Sequence, residues 1–115
     1  MSLIISKYEN GIDKCWYNST NVIYSECIDN KDALKDLIVV FHDGRSYKYK
    51  SLIVQDVLLF KAGGLDGSNG RALNKFIKKY NYEKLENVDL TLLEEEKHIL
   101  LEEKKSKEQL KEKDE

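Results

Sequence analysis

Proline is absent from the 115 residues, while cysteine, histidine and arginine occur only twice each and tryptophan once. Without proline there is no stiff, extended linker of the usual kind between domains. The two cysteines, Cys15 and Cys27, belong to no Cys-x-x-Cys pair, which excludes a disulfide-dense scaffold and a cysteine-rich zinc site. Both fall in segments that read as strands and are expected to be small buried apolar side chains in a reducing compartment. No stretch approaches the roughly 20 apolar residues of a membrane span. Met1–Ser6 is too short for a signal peptide and lacks its basic start. The expected location is therefore cytoplasmic, or the bacterial host cytoplasm if the chain is phage-encoded. The glycosylation spelling Asn18-Ser19-Thr20 is discounted for the same reason.

The length and a composition 41% hydrophobic and 35% charged fit one domain. A chain of this size has one core and no room for a deep internal cavity, so a site belongs in a surface groove or between subunits. The net charge of −2 supplies no global field toward nucleic acid or membrane. Residues 1–88 carry 13 basic against 11 acidic side chains and residues 89–115 carry 6 against 10, so a mildly basic body precedes an acidic tail. Lysine outnumbers arginine 17 to 2, and Asn, Ile and Tyr are frequent, a pattern of AT-rich coding that points to a low-GC bacterium or its phage.

Leu3-Ile4-Ile5 reads as a short strand and Asn10-Gly11 as a turn. Ile12 to Tyr17 and Val22 to Ile28 follow as strands, and Asp29 to Asp32 as a polar loop. The strongest signal is Leu37 to Phe41, then Asp43-Gly44, then Tyr47 to Tyr49. A two-residue turn would pair Phe41 with Ser46 and put Lys48 and Lys50 on the face of Leu37, Val39 and Phe41. A three-residue loop with Gly44 left-handed pairs Phe41 with Arg45 and gathers Leu37, Val39, Phe41, Tyr47 and Tyr49 on one face. Because a one-residue slip flips every side chain, burial selects the second register.

Beyond the hairpin the apolar period lengthens to about 3.6. A first short helix is expected with Val54, Val57, Leu58 and Ala62 inward and Phe60 near its rim, ended by Gly63-Gly64. A second is expected from Arg71 to Tyr80, with Leu73, Phe76, Ile77 and Tyr80 inward and Arg71, Lys75, Lys78 and Lys79 outward. Thr91 to Glu94 spells a capping box that opens a charged C-terminal helix. Leu92, Leu93, Ile99, Leu100 and Leu101 can pack, the last dozen residues are expected to be solvated or frayed, and the apolar repeats are too few for a sustained coiled coil. The expected fold is α+β: an antiparallel sheet of about five strands, two short helices after it, and the C-terminal helix. Residues 1–88 form the domain and 89–115 the tail.

Catalysis is not expected. His98 lies among charges, His42 flanks the hairpin turn, and no nucleophile elbow, paired carboxylates or metal-ligand spacing appears. No cofactor is implied. The segment from Gly63 to Arg71 holds four of the six glycines. Such a loop, opening onto a helix with Arg71 and Lys75, can bring backbone N–H groups to an anion; it also reads simply as an interhelical turn capped by Ser68 or Asn69. The candidate ligand-binding residues are Arg45, Tyr47, Ser68, Asn69, Gly70, Arg71, Asn74 and Lys75.

Residues from about Asn18 to Glu86 resemble the KTSC domain, a small module that also occurs at the C-terminus of some lysyl-tRNA synthetases. The resemblance is carried by Ser19 with Asn21 and Val22; by Leu37, Val39, Phe41, Gly44, Tyr47 and Tyr49 at their spacing; and by Val57 and Phe60. Gly67-Ser68, Asn74, Ile77, Tyr80 and Tyr82 complete it. The chain departs in the polar loop Asp29–Lys35, in lacking a proline after the second Tyr strand, and in its tail helix. The resemblance implies a non-catalytic bacterial or phage module. More loosely, the size, sheet and composition look like the phage anti-Thoeris sponges, which implies a homo-oligomer that captures a small phosphorylated nucleotide signal between subunits. Phosphates would meet backbone N–H groups, Arg45, Arg71 and Lys75, with an aromatic ring on the base. The alternative is an RNA- or protein-interaction module of the synthetase-appendage type, acting through Arg71, Lys75, Lys78 and Lys79, although the low net charge disfavours RNA. A subunit without a ligand is a third reading.

Overall fold

The structure, a computed structural model, describes residues 3–19, 21–63 and 69–113. It is an antiparallel meander followed by helices: β1 (Leu3–Glu9), β2 (Ile12–Tyr17), β3 (Val22–Asp29), β4 (Lys35–Phe41), β5 (Ser46–Leu52), α1 (Val54–Lys61), α2 (Asn69–Ala72), a π-helical turn (Leu73–Ile77), β6 (Tyr82–Lys84) and α3 (Leu90–Lys113). The six strands lie in chain order. Asn10 and Gly11, both at positive φ, turn β1 into β2, as an Asn-Gly pair favours. The polar loop after β3 contains a 3₁₀ turn, Lys31–Ala33.

The hairpin between β4 and β5 takes the three-residue loop. Phe41 donates its N–H to the Arg45 carbonyl at 2.9 Å, Gly44 donates to the Phe41 carbonyl at 2.9 Å, and Gly44 sits at φ +89°. Leu37 faces Tyr49 and Val39 faces Tyr47 across the ladder. Leu37, Val39 and Tyr49 are accordingly buried on one face, with Phe41 and Tyr47 packed beside them.

That face is covered by α1 and the π-helical turn. Its core joins Tyr17, Val39, Leu52, Phe60, Leu73 and Ile77. Tyr17 lies edge-on to Phe60 at 5.7 Å between ring centroids. Here α1 is rotated from expectation: Phe60 is fully buried, whereas Val54 and Leu58 are exposed and Ala62 faces outward. The Phe60 ring has the larger apolar area to bury, and Asp56 turns inward with it to meet Tyr80 and Lys79. The expected second helix is shorter than Arg71–Tyr80. It passes into π-helical geometry, where Lys78 donates to the Leu73 carbonyl at 3.0 Å, and it buries Leu73 and Ile77 while leaving Phe76 and Tyr80 half-covered.

The chain then returns as β6, a strand not expected from its three exposed polar and aromatic residues, and pairs with β5. It continues along the hairpin: Leu85 donates to Ser46 O at 3.0 Å, the buried Ser46 hydroxyl donates to Glu86 O at 2.9 Å, and Val88 donates to Gly44 O at 2.8 Å.

The opposite face of the sheet carries α3. Trp16, Tyr24 and Val40 pack with Leu93 and Leu100, and Trp16 Nε1 donates to the Leu93 carbonyl at 3.1 Å. Leu92 and Ile99, expected to pack, are exposed, because only one stripe of a helix lying on a sheet can face it. The helix begins two residues earlier than the capping-box reading, with Asp89 as the cap: its Oδ1 accepts from Thr91 N at 3.0 Å. The backbone stays helical to Lys113, farther than expected. Cys15 is buried and Cys27 half-buried, both as free thiols on adjacent strands.

Gly44 meets two demands at once, since its φ suits glycine and an added Cβ would stand 3.0 Å from the Val88 carbonyl oxygen. Gly44→Ala should cost about 2 kcal/mol from the left-handed backbone and the displaced strap. Denaturant unfolding of the two proteins measures this, and an unchanged midpoint would contradict the assigned register.

Candidate functional site

The sheet is wider than the helices that cover it. The α1 and π-helical layer seals Leu37, Val39 and Tyr49, but the hairpin end of the same face carries Phe41 and Tyr47 past that cover. β6 adds Tyr82, which is 60% exposed. The result is a groove of about 450 Å³ lined by Phe41, Arg45, Tyr47, Tyr49, Lys78 and Tyr82. This is within the range of small-ligand sites.

Its floor is an aromatic ladder. Phe41 and Tyr47 meet edge-on at 5.9 Å, Tyr47 and Tyr82 edge-on at 5.8 Å, and Tyr49 and Tyr82 at 5.6 Å with a tilt of 42°. The spacing follows from strand geometry: Tyr47 and Tyr49 are two apart on β5, and Tyr82 lies directly across from Tyr49 on β6. Burial, and behind it the neighbouring Tyr82 and Tyr47 hydroxyls, push the Tyr49 phenol above its ordinary value, so that ring stays neutral at physiological pH.

Two cations border the rings. The Arg45 guanidinium lies over Phe41 at 5.7 Å from the ring centre, and its Nε donates to Asp43 Oδ2 at 2.6 Å. The Asp43 carboxylate is held below its ordinary range first by the Arg45 backbone N–H and then by the guanidinium. This pairing fixes the arginine on its own turn through Nε. Lys78, on the far wall, caps the π-helical turn. Neutral rings between an oriented guanidinium and an ammonium suit a planar ligand bearing an anionic group.

Of the residues singled out from the sequence, Arg45 and Tyr47 come together here. Asn74 and Lys75 are exposed on the π-helical turn outside the groove, with Lys75 Nζ over the Phe76 ring at 5.5 Å. Arg71 is exposed on α2, and Asn69 and Gly70 open that helix. Ser68 and the rest of the glycine loop from Gly64 lie outside the described residues. Phe41, Tyr49, Lys78 and Tyr82 complete the groove and were not among the site candidates. The signal that could have found them is the same-face set Phe41, Tyr47 and Tyr49, whose aromatic area exceeds what a short helix can cover.

Several other titratable groups have structural partners. Asp56, 5% exposed, accepts from the Tyr80 hydroxyl and pairs with Lys79 at 3.1 Å. His42 Nε2 contacts the Ser19 carbonyl. Lys61 pairs with Asp13 and Lys35 with Asp29 near Cys27, whose thiol burial pushes up. Among the described residues no three His, Cys, Asp or Glu side chains gather as a metal site, and no helix is long and apolar enough to cross a membrane.

No family model matches the chain, nor does any curated protein or solved structure. The fold is α+β, with six antiparallel strands between two helical layers.

The Tyr80 hydroxyl, and after it Lys79, hold the Asp56 carboxyl below its ordinary value. The unfolded chain therefore takes up more protons than the folded one between about pH 4, where a free Asp titrates, and the lower folded value. Stability from this pair is complete above pH 4 and should be lost as pH falls through that window. Asp56→Asn should cost about 2 kcal/mol at neutral pH and flatten that part of the acid slope. Urea titrations at pH 7 and pH 3 check both.

Proposed function

We propose that the chain is a non-catalytic binding module whose hairpin groove holds a small phosphorylated nucleotide. The observation that carries this reading is the meeting of four aromatic rings with Arg45 and Lys78 in one open groove of nucleotide size. Base and ring stack because both present flat apolar faces, and the phosphate is drawn to the guanidinium and ammonium at the rims. Asp43 offsets part of the positive charge, which favours a ligand with few phosphates over a polyanion. In the counter-defence setting that the sponge resemblance implies, such a module would act by capture alone, lowering the free concentration of a signal nucleotide. The groove is assembled within one chain, so capture by this route does not require a second subunit.

The alternative of an RNA-interaction module draws on Arg71, Lys75, Lys78 and Lys79. It is weakened by the engagement of Lys79 with Asp56 and of Lys75 with the Phe76 ring.

Calorimetry with adenine nucleotides, cyclic ADP-ribose isomers and cyclic oligonucleotides tests the proposal. At least one should bind in the micromolar range. Tyr82→Ala, which removes an exposed ring with little core cost, should weaken binding by about 1–3 kcal/mol, roughly 5- to 150-fold. Arg45→Ala should do the same for phosphorylated ligands and not for the nucleoside. No heat with any of them would remove the reading. Binding of single-stranded RNA that fades steeply with salt and ignores Tyr82→Ala would transfer it to the alternative.

A further inference from the structure

β1 is one edge of the sheet, and it is seven residues long with no strand partner on its outer side among the described residues. The other edge, β6, has three residues and carries Glu83 and Lys84, the short charged edge that discourages pairing. β1 is irregular between Leu3 and Ile5, and its charged residues Lys7 and Glu9 alternate with an uncharged set. Ile4, Ser6 and Tyr8 are exposed, Ile4 at 37% and Tyr8 at 69%. Glu9 and Ile12 are the closing partners of the two-residue hairpin, the position at which such a turn places a hydrogen-bonded pair. Alternation along the strand then points the N–H and C=O groups of Ser6 and Tyr8 outward.

The helix above this edge overshoots it. Leu100 reaches the groove beside Leu3 to Lys7, and Glu103, Lys104 and Lys107 line that groove beyond it. The helix nevertheless continues to Lys113, roughly 20 Å farther. The contact of Glu96 with Lys14 at 3.2 Å shows which flank of α3 faces the Lys7–Glu9 end of β1. Ile99, three residues on, lies on that flank and is 56% exposed.

We propose that β1 pairs antiparallel with β1 of a second copy, making a two-fold dimer with one continuous sheet. Pairing from Ile4 to Tyr8 centres on Ser6 and sets Ile4 opposite Tyr8 of the partner, so that these exposed apolar side chains cover one another. Antiparallel strands are related by an axis perpendicular to the sheet. Both α3 helices therefore lie on the same side and run antiparallel across the seam, each carrying its overhang over the other copy's sheet. Charge fits this arrangement: the start of each helix, Glu94, Glu95 and Glu96, runs beside the lysine-rich stretch Lys104, Lys105 and Lys107 of the other, with Ile99 between them. The seam is at the opposite edge from the nucleotide groove, so the two proposals stand or fall separately.

Sedimentation velocity on the full chain tests it. The wild type should run as a dimer. Ser6→Pro removes an outward donor that the β1–β2 ladder does not use, and Ile99→Asp places a charge at the helix seam. Each should weaken the dimer at least tenfold with circular dichroism unchanged. Ser6→Cys should form an interchain disulfide under mild oxidation, because Ser6 meets its own copy at the axis. If Ser6→Pro fails to fold, Ile99→Asp and Ser6→Cys still decide. A wild-type monomer, an open-ended polymer, or a dimer indifferent to Ile99→Asp and without the Ser6→Cys cross-link would overturn the proposal.

Discussion

A single residue of register in the β4–β5 hairpin governs both the core and the groove. With Gly44 in the left-handed conformation, Phe41 pairs with Arg45, and every second residue on both strands turns toward α1. Leu37, Val39 and Tyr49 then close the core while Phe41 and Tyr47 extend the same apolar face beyond it. A shift by one would send the tyrosines to the α3 face and leave lysines under the helices. The strap from Tyr82 to Val88 holds the arrangement from outside, crossing Gly44 closely enough that an added Cβ would press on the Val88 carbonyl.

Covering both faces of the sheet is what leaves the groove where it is. One layer is held by Phe60, Leu73 and Ile77, the other by the packing of Trp16 against α3 and the hydrogen bond from its indole to Leu93. The α1 layer is short relative to the sheet, whereas α3 runs past its edge. On the α1 face the uncovered part is the hairpin end, where aromatic residues serve as floor and two cations as rims. On the α3 face the helix runs past the first strand. The hairpin groove and the β1 edge thus lie at opposite edges of one sheet.

Much of this was legible from side-chain alternation. The period-two face of Leu37, Val39, Phe41, Tyr47 and Tyr49 was readable because burial discriminates between registers by many side chains at once. The fold class followed from it. The rotation of α1 was not, because Val54, Leu58 and Phe60 are all apolar and only the space beside Tyr17 decides which is buried. β6 escaped because Tyr82-Glu83-Lys84 has no apolar alternation; its pairing is dictated by the β5 edge. In the site, Arg45 and Tyr47 were recognisable as hairpin residues, but Lys78 is one of several similar lysines on the second helical segment. Only the turn of the π-helical segment distinguishes it from Lys75 and Lys79. A glycine-rich sequence drew attention to the interhelical loop, whereas the aromatic wall is a property of the sheet and invisible to any local motif.

The central claim is that the hairpin register builds the surface on which a ligand rests. Nuclear magnetic resonance titration of a phosphorylated nucleotide into the labelled protein tests it most directly, reading aromatic ring protons together with the Arg45 side-chain N–H. The account expects shifts concentrated on Phe41, Tyr47, Tyr49 and Tyr82, with the Arg45 Nε proton moving in step. Shifts confined to Arg71, Asn74 and Lys75, with the hairpin rings unmoved, would contradict it.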